Sequence, residues 1–120
     1  MKVLVTAGPT REKIDAVRFL TNRSTGKMGY ALAEAARDAG HEVTLVSGPV
    51  ALAVPHGITL VPVESAAEMA EAVKERAPQM ALVIMCAAVA DYTPDTVSET
   101  KIKKCGGEMC ITLRRTRDIA

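Results

Sequence analysis

Short β-branched runs alternate with segments of helical period along this chain, and no other feature limits its fold as tightly. Val3-Leu4-Val5 stands almost at the first residue. It reads as a buried parallel strand, because strands covered on both faces are continuously apolar. Met28, Ala31, Leu32, Ala35 and Ala39 recur at helical spacing, and Gly40 sits where a C-terminal cap belongs. Val43-Thr44-Leu45-Val46 is a second strand, closed by Ser47-Gly48-Pro49, and residues 58–63 form a third. Ser65 and Glu68 have the spacing of a capping box, in which the hydroxyl serves the Glu68 N–H and the carboxylate reaches back to Ser65. Met69, Ala72, Val73 and Arg76 continue one helical face until Pro78. Residues 81–86 are the fourth and most apolar strand, with Cys86 a core thiol at its end. A polar loop over 91–108 leads to residues 109–113, a fifth strand of edge character, and Thr116 is placed to cap a last helix. Such alternation predicts a parallel sheet with helices on both faces. The 120 residues suffice for one domain.

Composition excludes several functions. A chain that is 48% hydrophobic and 24% charged can bury a core and is not disordered. Its only aromatics are Phe19, Tyr30 and Tyr92, so stacking platforms for single-stranded nucleic acid are absent and no nucleic-acid partner is expected. The longest apolar run, residues 80–90, is too short to span a bilayer, and the apolar start ends at Gly8-Pro9, so neither membrane nor signal peptide is expected. Three cysteines without a Cys-x-x-Cys pair make no disulfide framework or zinc site and suit a reducing, cytoplasmic setting. Net charge is only +1, yet six of the fifteen Lys and Arg fall in 101–117, opposed by Glu108 alone. That segment should attract an anion.

Two long loops leave strand ends, 8–25 after the first strand and 87–108 after the fourth. Ligands of open parallel sheets bind at the carboxyl ends of strands where the topology switches direction. The first loop ends Thr21-Asn22-Arg23-Ser24-Thr25-Gly26-Lys27-Met28-Gly29 and runs into a helix. Free N–H groups at a helix start, with glycine allowing close approach, make a phosphate cradle to which Ser24, Thr25 and Lys27 add donors. A simple Ser/Thr cap with two packing glycines explains the same pattern. The P-loop is not matched, since Thr21 stands where its first glycine belongs and Met28 follows Lys27. The three-glycine dinucleotide fingerprint is not matched either. In the second loop, small residues from Ala87 to Ala90 would let a base or ribose lie against the backbone. Asp91 suits a ribose hydroxyl or Mg²⁺, and Lys101 suits phosphate charge. A solvated basic run is the alternative for Lys101, Lys103 and Lys104. Arg11 and Arg18 each suit a carboxylate or phosphate held bidentately, or a surface ion pair with Glu12 or Asp15. Neither His41 nor His56 is expected to be catalytic. The loop over 48–57 is long enough for a flap or a subunit contact.

These residues carry a resemblance. Thr6-Ala7-Gly8-Pro9-Thr10-Arg11-Glu12, followed by Asp15-x-Val17-Arg18-Phe19-Leu20-Thr21-Asn22-x-Ser24-Thr25-Gly26-Lys27-Met28-Gly29, resembles the phosphopantothenoylcysteine synthetases, or phosphopantothenate–cysteine ligases. Val43 to Pro49, Cys86-Ala87-Ala88-Val89-Ala90-Asp91-Tyr92 and Lys101-Ile102-Lys103-Lys104 match further signatures in order. The resemblance implies a Rossmann-like α/β fold, with residues 1–120 a single nucleotide-binding domain. It implies a cytoplasmic ligase of coenzyme A biosynthesis. The carboxylate of 4′-phosphopantothenate attacks the α-phosphate of CTP, giving an acyl-cytidylate, and the cysteine amine then displaces CMP. The Lys-Ile-Lys-Lys form looks like the bacterial, CTP-dependent type. By resemblance Asn22 handles the intermediate, Ala88 lies beside it, and Lys101 supports the first half-reaction. Ser24, Thr25, Gly26, Lys27, Met28, Gly29, Ala87, Asp91 and Lys104 are then the candidate nucleotide or phosphate contacts. Gly8, Arg11 and Arg18 are the candidate substrate contacts. Mg²⁺, a homodimer and a partnership with a separate flavin-dependent decarboxylase are also implied. Relatives carry Asn-Pro-Asp-Ile where this chain has Thr116-Arg117-Asp118-Ile119, and they continue for about half this length again. The chain is read as the N-terminal portion of the ligase domain, either a fragment or a shortened homologue, with a non-catalytic CTP- or phosphate-binding module as the alternative.

Overall fold

The computed structural model describes residues 1–95, 111–116, 118 and 119. Its centre is a four-stranded parallel sheet built from β1 (Lys2–Ala7), β4 (Glu42–Ser47), β5 (Thr59–Pro62) and β6 (Leu82–Met85), in the order β5-β4-β1-β6. β1 pairs with β4 from Lys2↔Glu42 to Ala7↔Ser47 and with β6 from Val3↔Leu82 to Thr6↔Met85. The chain thus adds strands to one side of β1, then crosses back to its other side for β6. The direction switches between β1 and β6, and their carboxyl ends are where a crevice is expected.

Both faces of β1 are buried, as its continuous apolar run requires. Val3, Val5 and Ala7 pack with Val43, Leu45, Tyr30 and Ala33 under helix α1 (Lys27–Asp38), while Leu4 packs with Val46, Met69, Ala72 and Val73 under helix α2 (Ala66–Arg76). Helices on both faces of a parallel sheet are what the alternation predicted. The inward stripe of α1 is not the expected one. Gly29, Tyr30 and Ala33 are buried, whereas Met28 is 68% exposed and Ala31, Ala35 and Ala39 face outward. The helix approaches β1 so closely at Gly29 that the face carrying this glycine must meet Ala7, with Tyr30 and Ala33 packed beside it. A Cβ on Gly29 would overlap the Ala7 Cβ.

The ends of both helices follow local chemistry. Gly40, at φ 91°, closes α1 with a Schellman pair, its N–H donating to Arg37 O (2.9 Å) and the His41 N–H to Ala36 O (3.1 Å). At α2, Ser65 Oγ accepts from the Glu68 N–H (3.1 Å) as expected. The Glu68 carboxylate passes over Ser65 and accepts from the Glu64 N–H (2.7 Å). A short 3₁₀ turn, Ala77–Gln79, ends this segment at Pro78.

Five sequence expectations are corrected. Loop 8–25 contains a two-stranded antiparallel ribbon, β2 (Glu12–Lys13) with β3 (Phe19–Leu20). Loop 91–108 opens with strand β7 (Tyr92–Pro94). The expected fifth sheet strand is displaced to β8 (Leu113–Arg115) and pairs antiparallel with β7 in a separate ribbon, with Met109 and Cys110 outside the described residues. Thr116 starts no described helix. Its N–H donates to Asp91 O (2.8 Å) and its hydroxyl to Ala90 O (2.5 Å). β6, the most apolar segment, is an edge strand of the described sheet, with Leu82 and Met85 exposed and Cys86 half-buried.

Candidate active site

Helix α1 begins beside the carboxyl end of β1. Gly26 is its N-cap at φ 81°, a left-handed conformation that suits glycine, and no side chain caps it. The first turn carries no acid, and the Lys27 N–H makes only a long contact to Thr25 Oγ1 (3.4 Å). The N–H groups and positive dipole end of α1 are thus available to an anion. Gly8 is also left-handed, at φ 78°, and a Cβ built on Gly26 would lie 3.4 Å from the Gly8 Cα. Val50 closes on both glycines, since a Cβ on Gly26 or Gly8 would lie 2.8 or 2.9 Å from its Cγ1. In front of them lies a cleft of about 550 Å³, lined by Asn22, Ser24, Thr25 and Lys27 from one side and by residues 49–52 from the other. The 48–57 loop therefore forms one wall of the candidate site, a role beyond its expected ones as flap or contact.

The loops after β1 and β6 continue the parallel pairing past the strands. Pro9 and Ala88 form an isolated parallel bridge, with the Ala88 N–H on Gly8 O (2.9 Å) and the Thr10 N–H on Ala88 O (3.3 Å). The Asn22 carboxamide also donates to Ala88 O (2.9 Å), while its Oδ1 accepts from the Ser24 N–H (3.0 Å). Asn22 and Ala88, far apart in sequence, are in direct contact. One Asn22 N–H remains for a ligand, since a carboxamide has two donors.

Two buried hydroxyls hold this junction, and neither is among the expected site residues. Thr6 Oγ1 accepts from the Cys86 (3.1 Å) and Ala87 (3.2 Å) N–H groups, and Thr10 Oγ1 accepts from the Ala90 N–H (2.9 Å). The available signal was a threonine inside, and another just beyond, a fully buried strand, where a hydroxyl must find a partner.

Other candidates fall elsewhere. Ala87 and Asp91 line a separate cleft of about 500 Å³ beyond the end of β6, shared with Arg115, Thr116 and Asp118. Arg11 reaches the Asn22 cleft, and its guanidinium stacks over the Phe19 ring at 4.4 Å. Arg18 is held at 3.7 Å by Asp15, whose Oδ1 also accepts from the Val17 and Arg18 N–H groups, and it does not line the Asn22 cleft. Glu12 serves neither arginine: its buried carboxylate accepts from the Ala66 N–H (3.0 Å) at the start of α2. Met28 is exposed at the helix start, and Gly29 is the packing contact described above. Lys101, Lys103 and Lys104 lie outside the described residues. Among the described residues, no group of three or more His, Cys, Asp or Glu could hold a metal ion. No helix among them is long and apolar enough to cross a membrane.

Comparison with known proteins fits this geometry into a family. A model described as the DNA/pantothenate metabolism flavoprotein C-terminal domain matches residues 1–120. The chain is 58% identical over 118 residues to the coenzyme A biosynthesis bifunctional protein CoaBC of Bacillus subtilis, covering 98% of this chain and 29% of that protein. It is 48% identical to the Escherichia coli protein of the same name, covering 99% and 30%. The solved C-terminal domain of a CoaBC superposes with a TM-score of 0.85 at 53% identity, covering 98% of this chain and 55% of that one. A DNA/pantothenate metabolism flavoprotein from Streptococcus pneumoniae gives 0.85 at 28% identity, covering 98% and 61%. The chain spans about 30% of the length of the curated relatives and about half of the solved domain.

Proposed function

The chain belongs to the family of the DNA/pantothenate metabolism flavoprotein C-terminal domain, and from that premise we propose that it carries the first part of a phosphopantothenate–cysteine ligase site. The proposed reaction has two halves. A carboxylate oxygen of 4′-phosphopantothenate attacks the α-phosphorus of CTP and pyrophosphate leaves. The amine of cysteine then attacks the acyl carbon, and CMP leaves as the amide forms.

One observation carries this reading: Asn22 and Ala88 meet at the switch point of the sheet, beside an uncapped helix start. A neutral carboxamide with one donor fixed on the protein and one left over can orient an acyl oxygen without adding charge. The α1 N-terminus, with Lys27, suits the phosphate side of the same ligand. Gly8 and Gly26 leave room for Val50, a residue of the cleft wall, to pack against the helix start. Mg²⁺ is read as an ion carried by the triphosphate, whose charge it neutralises. Asp91, an exposed carboxylate of the separate cleft beyond β6, is the protein ligand the sequence pattern offers for it. Lys101 is assigned to phosphate charge in the first half-reaction by its motif. A homodimer and cooperation with a flavin-dependent decarboxylase belong to the same reading.

The test is pyrophosphate release by the full-length gene product with CTP, 4′-phosphopantothenate and cysteine. Release that requires CTP and phosphopantothenate is expected, with CMP appearing only when cysteine is added. No release, under conditions where a known ligase works, overturns the reading.

A further inference from the structure

We propose that Thr10 is a positioning residue for this chemistry: one buried side chain and its own backbone set the placement of Asn22 against the 87–91 loop. The proposal rests on the ligase reading above. Thr10 is fully buried and touches both site loops with three different groups. Its N–H donates to Ala88 O (3.3 Å). Its Oγ1 accepts from the Ala90 N–H (2.9 Å). Its carbonyl accepts from the Thr21 hydroxyl (2.9 Å), one residue before Asn22.

These contacts lie on one short path. Asn22 also donates to Ala88 O, so the carbonyl bound by the Thr10 N–H is the one that orients the Asn22 carboxamide. Two residues further, the Ala90 N–H held by Thr10 Oγ1 precedes Asp91. Losing the hydroxyl leaves the Ala90 N–H to find another acceptor, and the loop must move to do so. Because reactive geometry tolerates little displacement, the cost falls on turnover more than on folding. Thr6 acts one register earlier, on Cys86 and Ala87, and lacks any link to the Asn22 segment.

Three variants of the full-length enzyme test this. Thr10→Val keeps the shape and removes the acceptor, Thr10→Ser keeps the acceptor, and Thr21→Val removes the donor to Thr10 O at an exposed position. Thr10→Val is expected to lower kcat for pyrophosphate release by roughly 10–100-fold with KM for CTP changed by less than about threefold. Thr10→Ser restores most of the rate, and Thr21→Val loses several-fold. In a double-mutant cycle, Thr10→Val adds little to the loss already caused by Asn22→Ala, because both act through one contact. If Thr10→Val fails to fold, the Ser and Thr21 variants decide. Wild-type activity with an unchanged kcat in Thr10→Val, or with an unchanged kcat in Thr21→Val where the former does not fold, overturns the proposal alone. So does a loss in Thr10→Ser equal to that in Thr10→Val. Absence of wild-type activity overturns the ligase reading and this proposal with it.

Discussion

The carboxamide nitrogen of Asn22 lies 2.9 Å from the carbonyl oxygen of Ala88, across 66 residues of sequence. This contact requires a donor. In Asn22→Asp a carboxylate oxygen would face the carbonyl oxygen, while the other could still accept from the Ser24 N–H. The side chain would turn away from Ala88 and lose the orientation proposed for the acyl group. The expected outcome is that the first half-reaction continues and the second slows, so that the acyl-cytidylate accumulates. Rapid quenching with labelled CTP and detection of the intermediate checks this. A parallel fall in both half-reactions would instead place Asn22 in nucleotide binding.

Lys101→Gln separates the halves in the other direction. The proposed role of this lysine is to neutralise charge building on phosphate, and glutamine supplies a hydrogen bond without that charge. Pyrophosphate release in the absence of cysteine should fall by roughly 100-fold or more, in line with loss of one transition-state charge contact. The thermal midpoint should be unchanged. An unchanged burst of pyrophosphate would remove Lys101 from the mechanism.

Gly29→Ala sets helix propensity against packing. Alanine in an α-helix gains about 1 kcal/mol over glycine. Here the new Cβ would overlap the Ala7 Cβ and sit 3.0 Å from the Ala7 Cα on buried β1. β1 is packed on both faces, and overpacking of this kind costs typically about 1–3 kcal/mol. The clash should win, giving a lower urea midpoint and an unchanged m-value. A higher midpoint would show that α1 shifts away from β1 freely.

The sheet was legible because buried parallel strands are marked by composition alone: Val3-Leu4-Val5 and Val43 to Val46 leave no other placement. The face of α1 was not, because a period of 3.6 fits both the Met28, Ala31, Leu32 stripe and the Gly29, Tyr30, Ala33 stripe. The choice was made by how closely Gly29 lets the helix approach Ala7, a tertiary fact. The two ribbons were missed for a related reason. Strands of two or three residues, such as Glu12–Lys13 and Tyr92–Pro94, carry no alternation to count, and their pairing is set by distant partners. Motif order pointed to Asn22 and Ala88 as functional residues, but nothing in either segment shows that one carboxamide ties them together. Thr6 and Thr10 were passed over because their spacing carries no chemistry until the Cys86–Ala90 backbone arrives beside them.

Glu12 shows how far such a partner can lie. Its carboxylate, almost wholly buried, accepts from the Ala66 N–H at the first residue of α2, 54 positions away. Two features of this contact stabilise the fold: an otherwise orphaned donor is satisfied, and a negative charge sits at the positive end of the helix dipole. Glu12→Gln keeps an acceptor oxygen and removes only the charge, a loss of about 0.3–1 kcal/mol. Glu12→Ala removes both and leaves a buried N–H unpaired, about 1–3 kcal/mol. The ordering is therefore wild type above Glu12→Gln above Glu12→Ala, read from urea midpoints at neutral pH. Because Glu12 lies in the β2–β3 ribbon, which also carries Phe19 and follows directly on Arg11, the alanine variant should loosen that ribbon from α2 and speed hydrogen exchange at the Ala66 amide. Equal stability of the alanine and glutamine variants would show that Ser65 and Glu68 cap α2 without help from Glu12.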